Sequence, residues 1–384
     1  MATPTAPSRP AASRTSTNSA PAVPVLAQAT VRRRVIVVLA AVGLWYGLLP
    51  WAAMIIDIHG HTNAPPSLYA YKAGLLSSRG AHGRGNPGLN EEVMAGVVKN
   101  HLANNLDKVG TDVQFLSPRP FQLMHSEQPE RIVQWWVQAN NDAIAMSVKL
   151  APDRYRGVAG LPQCAGVPIS NTFDEIDRCI NDLGFVGIMI NPDPYEGGGT
   201  PAPGMGDEYW YPLYEKMVQL DIPALIHSAS CKDPWDTYSN YFITTETRTI
   251  ISMVASGTFK TFPNLKIIVS HGGGAVPYQI GRYRAFFGRH LEGSGGFDEE
   301  LKKFYFDTVL YNWEGLDLLF RIVGTDRCMF GTENPGTGSY RDPSSGKMLD
   351  DLKPVIEGVP NLSEQDKRNV FEAVARQVFP RFKA

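Results

Sequence analysis

Cysteine is scarce in this chain. There are four, at positions 164, 179, 231 and 328, and no two stand in a Cys-x-x-Cys pair. That spacing argues against a disulfide framework. A basic excess is missing too: 36 Lys and Arg against 38 Asp and Glu leave a formal charge of −2. Without a basic face to neutralise phosphates, nucleic acid is not expected as a partner. The 36 Gly and 29 Pro show no triplet period, and no repeat of fixed length is visible. Collagenous and solenoid architectures are thereby set aside. What is present, 43% hydrophobic and 19% charged residues, describes a globular chain with a sizeable core.

Absence also divides the chain. Residues 1–53 contain five Arg but no Asp, Glu, Lys or His, whereas the remainder carries 31 basic residues against 38 acidic. Up to about Val31 the segment is rich in Ala, Pro, Ser and Thr, a composition too poor in large apolar groups to offset the entropy of ordering. Arg32 to Arg34 then precede an uncharged run, Val35 to Ala53, in the manner of a signal peptide or signal anchor. Met54 already opens a strand-like run. Three readings follow: cleavage near Ala53, a mis-assigned extension with Met54 as the true start, or an anchor over 35–53 that makes a membrane a partner. The free-looking cysteines favour the cytoplasm, with export to the periplasm as the alternative. Residues 1–53 and 54–384 are accordingly expected as separate units.

Within 54–384, short β-branched or aromatic runs bounded by Gly, Pro, Asn or Asp predict eight strands. They are 54–58, 112–116, 157–161, 185–190, 223–227, 266–270, 304–308 and 327–331. Amphipathic stretches of helical period separate them, at 91–108, 130–149, 172–182, 209–220, 244–259, 277–287 and 314–322, with 363–378 after the last strand. Strands alternating with helices imply parallel pairing through right-handed crossovers. The expected fold is α/β, a single (β/α)8 TIM barrel with insertions. A doubly wound sheet would also give this alternation.

In such a barrel the chemistry sits where the strands run out. His59 and His61 end the first strand, His227 the fifth, and His271 follows the sixth. The spacing of His59 and His61 places both imidazoles on one side of an extended chain, where they can share a cation. His227 would add a third nitrogen, and Glu333, at the end of strand eight, a carboxylate. Three His and one carboxylate suit Zn²⁺ with a position open for water. His82, His101, His125 and His290 share no such coincidence and are expected to be structural.

Asp-Ile-His-Gly-His at 57–61, Ser270-His271-Gly272-Gly273-Gly274-Ala275-Val276-Pro277-Tyr278 and the strand-eight acid resemble the amidohydrolase superfamily. The resemblance covers essentially all of 54–384, and it is to the branch related to aminocarboxymuconate-semialdehyde decarboxylase. Within the branch the likeness is strongest to hydratases of aromatic-acid catabolism. It rests on the opening Ile-Asp-Ile-His-Gly-His-Thr-Asn-Ala-Pro, on Glu333 where most of the superfamily has Asp, and on the segment from Asp350-Asp351 through Val378-Phe379-Pro380-Arg381. The resemblance implies His59, His61, His227 and Glu333 as ligands of one metal ion, zinc or in its place manganese. Asn191 at the end of strand four offers nothing to bridge a second ion. His271 would be the strand-six His that hydrogen-bonds water or substrate. It further implies a small-molecule carboxylate as substrate and, as in many relatives, a homodimer.

The implied reaction adds water to a C=C of an unsaturated keto-polycarboxylate. Glu333 or His271 would take a proton from water, and His271 or Cys231 would deliver one to carbon. Polycarboxylates need cationic clamps, for which Arg is geometrically apt. Arg119, at the end of strand two, is the first choice, with Arg282 in the helix after strand six and Asn312 after strand seven as further substrate-binding candidates. Trp235, Tyr238 and Tyr241 are expected in a loop walling the pocket, and Gly197 to Gly199 in a mobile loop over the mouth. Alternatives on the same residues are a non-oxidative decarboxylase and a C–C or thioester hydrolase. A non-enzymatic solute binder is the alternative from another class.

Overall fold

The computed structural model describes residues 53–120, 123–290 and 295–383. The signal-like and Ala/Pro/Ser/Thr-rich expectations for 1–52 fall outside them. Eight parallel strands follow one another in order: β1 (Ile56–His61), β2 (Val113–Ser117), β3 (Tyr155–Gly160), β4 (Gly187–Ile190), β5 (Ala224–Ile226), β6 (Ile267–Val269), β7 (Tyr305–Asp307) and β8 (Cys328–Met329). Each overlaps one of the predicted runs. Backbone bonds from Ile58 N to Phe330 O (2.9 Å), Glu333 N to His59 O (2.6 Å) and His61 N to Asn334 O (3.1 Å) bring the last strand back onto the first. The fold is the expected (β/α)8 barrel, and the doubly wound alternative is excluded.

Side-chain alternation sorts the strands into two layers. Val158, Met189, Leu225, Ile268 and Met329 cluster with Phe379 and Phe382. Their neighbours Ala159, Ile188, Ile190, Ile226, Ile267 and Val269 pack with Trp210, Leu213, Met217 and Met253 from the surrounding helices. The first set therefore faces the barrel axis and the second the helical layer. Continuing the parity of Leu225, Phe115 and Met329 points His227, Ser117 and Glu333 inward. On β1 a register shift between Asp57 and Gly60 breaks the alternation. Ile58 joins the axis cluster, yet His59 and His61 also turn inward, while Asp57 faces Gln114 on the helix side. A bulge is the ordinary way to re-aim side chains beside an active site.

The helices follow their periodicity. In Glu130–Leu150 the residues Ile132, Val133, Trp136, Val137, Ala143 and Ile144 form the buried stripe. The final helical segment opens on Ser363, whose side chain makes a capping box with Asp366. The predicted start that moves furthest is that of the helix expected from Thr244, which begins at Tyr238 because Thr237 caps it by accepting from Asn240 N. Tyr238 and Tyr241 are thus helical and not loop residues. No helix among the described residues is long and apolar enough to cross a membrane. All four cysteines are free thiols.

Candidate metal centre and substrate cavity

His59, His61, His227 and Glu333 are all buried and offer ligand atoms within 4.8 Å of one another. The ring centroids of His59 lie 5.1 Å from those of His61 and 4.9 Å from those of His227. Each imidazole is oriented by its Nδ1, which meets Asp307 Oδ2 at 2.6 Å for His59, Ser117 Oγ at 2.9 Å for His61 and Ser228 O at 2.8 Å for His227. All three Nε2 atoms are buried and have no hydrogen-bond partner among the described residues. Buried polar nitrogens are ordinarily satisfied, so three that converge without protein partners fit the donor set of a divalent cation. Nε2 ligation with Nδ1 anchored behind it is the usual arrangement at a metal.

Electrostatics agree. Burial holds His61 well below the usual imidazole range and pushes His227 down to about 4, so both are neutral and able to coordinate at pH 7. Burial alone would raise the Glu333 carboxyl, but its contacts with His227 and His271 outweigh that and keep it well below the usual carboxylate range. Its Oε2 accepts from the Tyr311 hydroxyl (2.5 Å) and Thr337 N (3.2 Å). Oε1 is left facing His271 Nε2 at 3.4 Å and His227 Nε2 at 3.6 Å. His271 Nδ1 is held by both carboxylate oxygens of buried Glu246, at 2.9 and 3.0 Å. Burial works against an imidazolium there, yet Glu246 dominates and raises His271 well above its ordinary value.

The backbone is distorted to place these groups. His271, Tyr311 and Glu333 all take left-handed φ values, of 51°, 57° and 59°. Such conformations are unfavourable for residues with a Cβ and cluster at functional sites. Gly60, between the two histidines, has a different reason: a Cβ there would lie 2.3 Å from the Gln114 side chain.

The group opens into a cavity of about 580 Å³ lined by His61, Arg119, His227, Cys231, Tyr238 and Glu333, among others. Arg119 has no carboxylate partner among the described residues, its Nε is buried and unpartnered, and its Nη2 donates to Asn63 Oδ1 at 3.4 Å. The Cys231 thiol lies on the wall and is pushed up by burial, so it stays protonated. Two expected substrate contacts lie elsewhere. Asn312 is exposed and caps the helix Trp313–Val323 by accepting from Gly315 N. Arg282 is exposed and lines a separate groove with Phe286 and Arg289. Trp235 is 95% exposed and lines no wall of this cavity. The glycine-rich loop is not free over the mouth. Its Asp193 carboxylate accepts from Tyr195 N, Gly197 N and the Tyr241 hydroxyl, and it borders a neighbouring cavity.

Asp307, Glu246, Tyr311 and Ser117 were not singled out from sequence. Asp307 could have been, as an acid ending a predicted strand. Glu246 sits mid-helix, where an acid is unremarkable. Because Asp307 orients His59, Asp307→Ala is expected to weaken metal affinity by about 10–100-fold. Competition with a chelator measures this, and an unchanged affinity would remove Asp307 from that role.

The chain matches the family model described as Amidohydrolase over residues 56–381. It is 33% identical over 342 residues to the 2-keto-4-carboxy-3-hexenedioate hydratase of Sphingobium sp. (strain NBRC 103272 / SYK-6), covering 86% of this chain and 97% of that one. The 2-amino-3-carboxymuconate-6-semialdehyde decarboxylase of Dictyostelium discoideum is 28% identical, with 69% and 72% covered. Among solved structures, 4-oxalomesaconate hydratase from Rhodopseudomonas palustris superimposes with a TM-score of 0.76 at 31% identity, covering 85% of this chain and 96% of that one.

Proposed function

This chain belongs to the amidohydrolase family, and from that premise we propose that it is a metal-dependent hydro-lyase adding water across the C=C of an unsaturated keto-polycarboxylate. That it is an enzyme follows from the family and from the hydratase and decarboxylase relatives. The observation that carries the reading is the convergence of three unpartnered Nε2 atoms and one carboxylate beside a cavity whose wall holds an arginine with no carboxylate partner among the described residues. The preference for hydration is supported by a hydratase relative matched over 97% of its length.

His59, His61 and His227 through Nε2 and Glu333 through Oε1 would hold one divalent ion, zinc by the chemistry of the donors, with manganese as the alternative. Such an ion lowers the pKa of water toward ~7 and so supplies hydroxide at neutral pH. The protein's own groups do the rest. Arg119 clamps a substrate carboxylate remote from the double bond and so holds the substrate in the cavity. Water passes its proton to solvent and bonds through its oxygen to one alkene carbon, while Glu333 Oε1 stays engaged as a metal donor. The electron pair moves onto the conjugated ketone as an enolate. Cys231 Sγ–H or His271 Nε2–H then protonates the other carbon and restores the ketone. Tyr311 and Thr337 keep Glu333 Oε2 occupied, so that Oε1 alone faces the reaction.

The test is to offer metal-loaded protein a panel of keto-dicarboxylates and keto-tricarboxylates, following enone absorbance and CO2 together. Absorbance is expected to fall with no CO2 released. Stoichiometric CO2 would instead establish the decarboxylase alternative, which the Dictyostelium relative supports over a shorter match. Cleavage into two fragments would establish the hydrolase.

A further inference from the structure

A hydrogen-bonded chain runs between the barrel and the helix Glu91–His101, and the chemistry above makes no use of it. Asp57, fully buried, anchors one end by accepting from Thr332 Oγ1 (2.6 Å) and Gln114 Nε2 (2.8 Å). Gln114 Nε2 gives its second hydrogen to Asn334 O at 3.1 Å. Its Oε1 is therefore the atom facing His101 Nε2 at 2.8 Å, and the imidazole must donate there. His101 Nδ1 is then an acceptor, and Asn63 Nδ2 donates to it at 3.0 Å. Asn63 Oδ1 is left to accept from Arg119 Nη2 at 3.4 Å. Burial lowers the pKa of His101, which keeps the ring in the neutral form that this pattern requires.

Every bond runs the same way, from guanidinium to Asn63, His101, Gln114 and the Asp57 carboxylate. Bonds aligned in this manner polarise one another, and removing one member leaves the next unsatisfied. Flipping the Asn63 amide would set its NH2 against Arg119 and its oxygen against the acceptor Nδ1, two repulsive contacts. The amide has one orientation, and so does the guanidinium it holds.

We propose that Asn63 and His101 are positioning residues for Arg119, and that the chain selects substrates carrying a carboxylate remote from the reacting double bond by holding the guanidinium toward the cavity. This deepens the reading of Arg119 as the carboxylate clamp and rests on it. A half-exposed arginine without such support would sample many rotamers and lose affinity to ordering. With it, the fork is set before the ligand arrives.

Tricarballylate, a saturated tricarboxylate that cannot be hydrated, is the probe, titrated calorimetrically into the metal-loaded full chain. Asn63→Ala and His101→Phe are each expected to weaken binding by about tenfold, and neither is expected to add to the loss already caused by Arg119→Ala. With whichever keto-tricarboxylate is turned over, KM should rise while kcat stays within about twofold, since ground and transition states lose the clamp equally. Single-variant losses that persist at full size in the Arg119→Ala background would overturn the chain and leave the clamp standing. An Arg119→Ala variant that binds tricarballylate as tightly as the native protein would overturn both. Should His101→Phe fail to fold, Asn63→Ala, at a half-buried position, decides the matter alone.

Discussion

Replacing Glu333 with alanine is expected to strip the protein of bound metal and abolish turnover. Glu333 is the one carboxylate in the four-residue set, and His61 and His227 present neutral imidazole nitrogen. Its removal takes away both a donor and the charge that balances a dication in a buried site. Losing several kcal/mol of metal-derived stabilisation corresponds to a fall of at least ~10³-fold in kcat/KM. The half-buried Tyr311 hydroxyl would also lose its partner, an additional penalty of about 1 kcal/mol in stability. Glu333→Asp separates the two effects: it restores the charge but retracts the oxygens by one methylene, so it should bind metal more weakly than the native chain and more tightly than the alanine variant. Elemental analysis of the purified variants beside the absorbance assay provides the measurement. Full metal content and full activity in Glu333→Ala would remove this residue from the centre.

Arg119→Ala is expected to raise KM for keto-polycarboxylates between about ten- and a hundredfold, the range for losing hydrogen bonds to a charged group. The native fold should hardly register the change, because Arg119 makes a single 3.4 Å hydrogen bond and no ion pair among the described residues. Lysine is not an adequate replacement. It restores the charge but not the planar fork, and it cannot both meet Asn63 Oδ1 and grip a carboxylate in two places. Arg119→Lys should therefore recover only part of the loss. Unchanged KM in both variants would place the carboxylate clamp elsewhere on the cavity wall, where Ser230, Tyr238, Thr337 and Ser339 offer hydroxyl groups.

The two candidates that fall outside the cavity show why some side chains could not be placed from sequence. Arg282 belongs to a segment correctly expected to be helical after strand six, but a helix has a full circle of directions and this side chain takes an outward one. Asn312 follows a strand end as an active-site residue would, yet its carbonyl oxygen is engaged as a helix cap. His101 errs in the other direction. Nothing in its neighbourhood marked it, because a histidine in the last turn of a helix is common. Its meaning comes from Gln114 and Asn63, thirteen and thirty-eight residues away.

Sequence by itself determined the barrel and the four side chains that converge at its rim, because both are written in short-range signals. Strand and helix period alternate eight times, and a residue at a strand's end is carried to the same rim wherever its strand lies in the ring. Only the tertiary structure decided what stands behind those side chains. Asp307 meets His59 across 248 residues, Glu246 reaches His271 from an overlying helix, and a register shift in β1 turns His59 inward while leaving Asp57 outside. Such pairings depend on how helices are laid against strands and on one extra residue of stagger, and neither leaves a periodic trace along the chain.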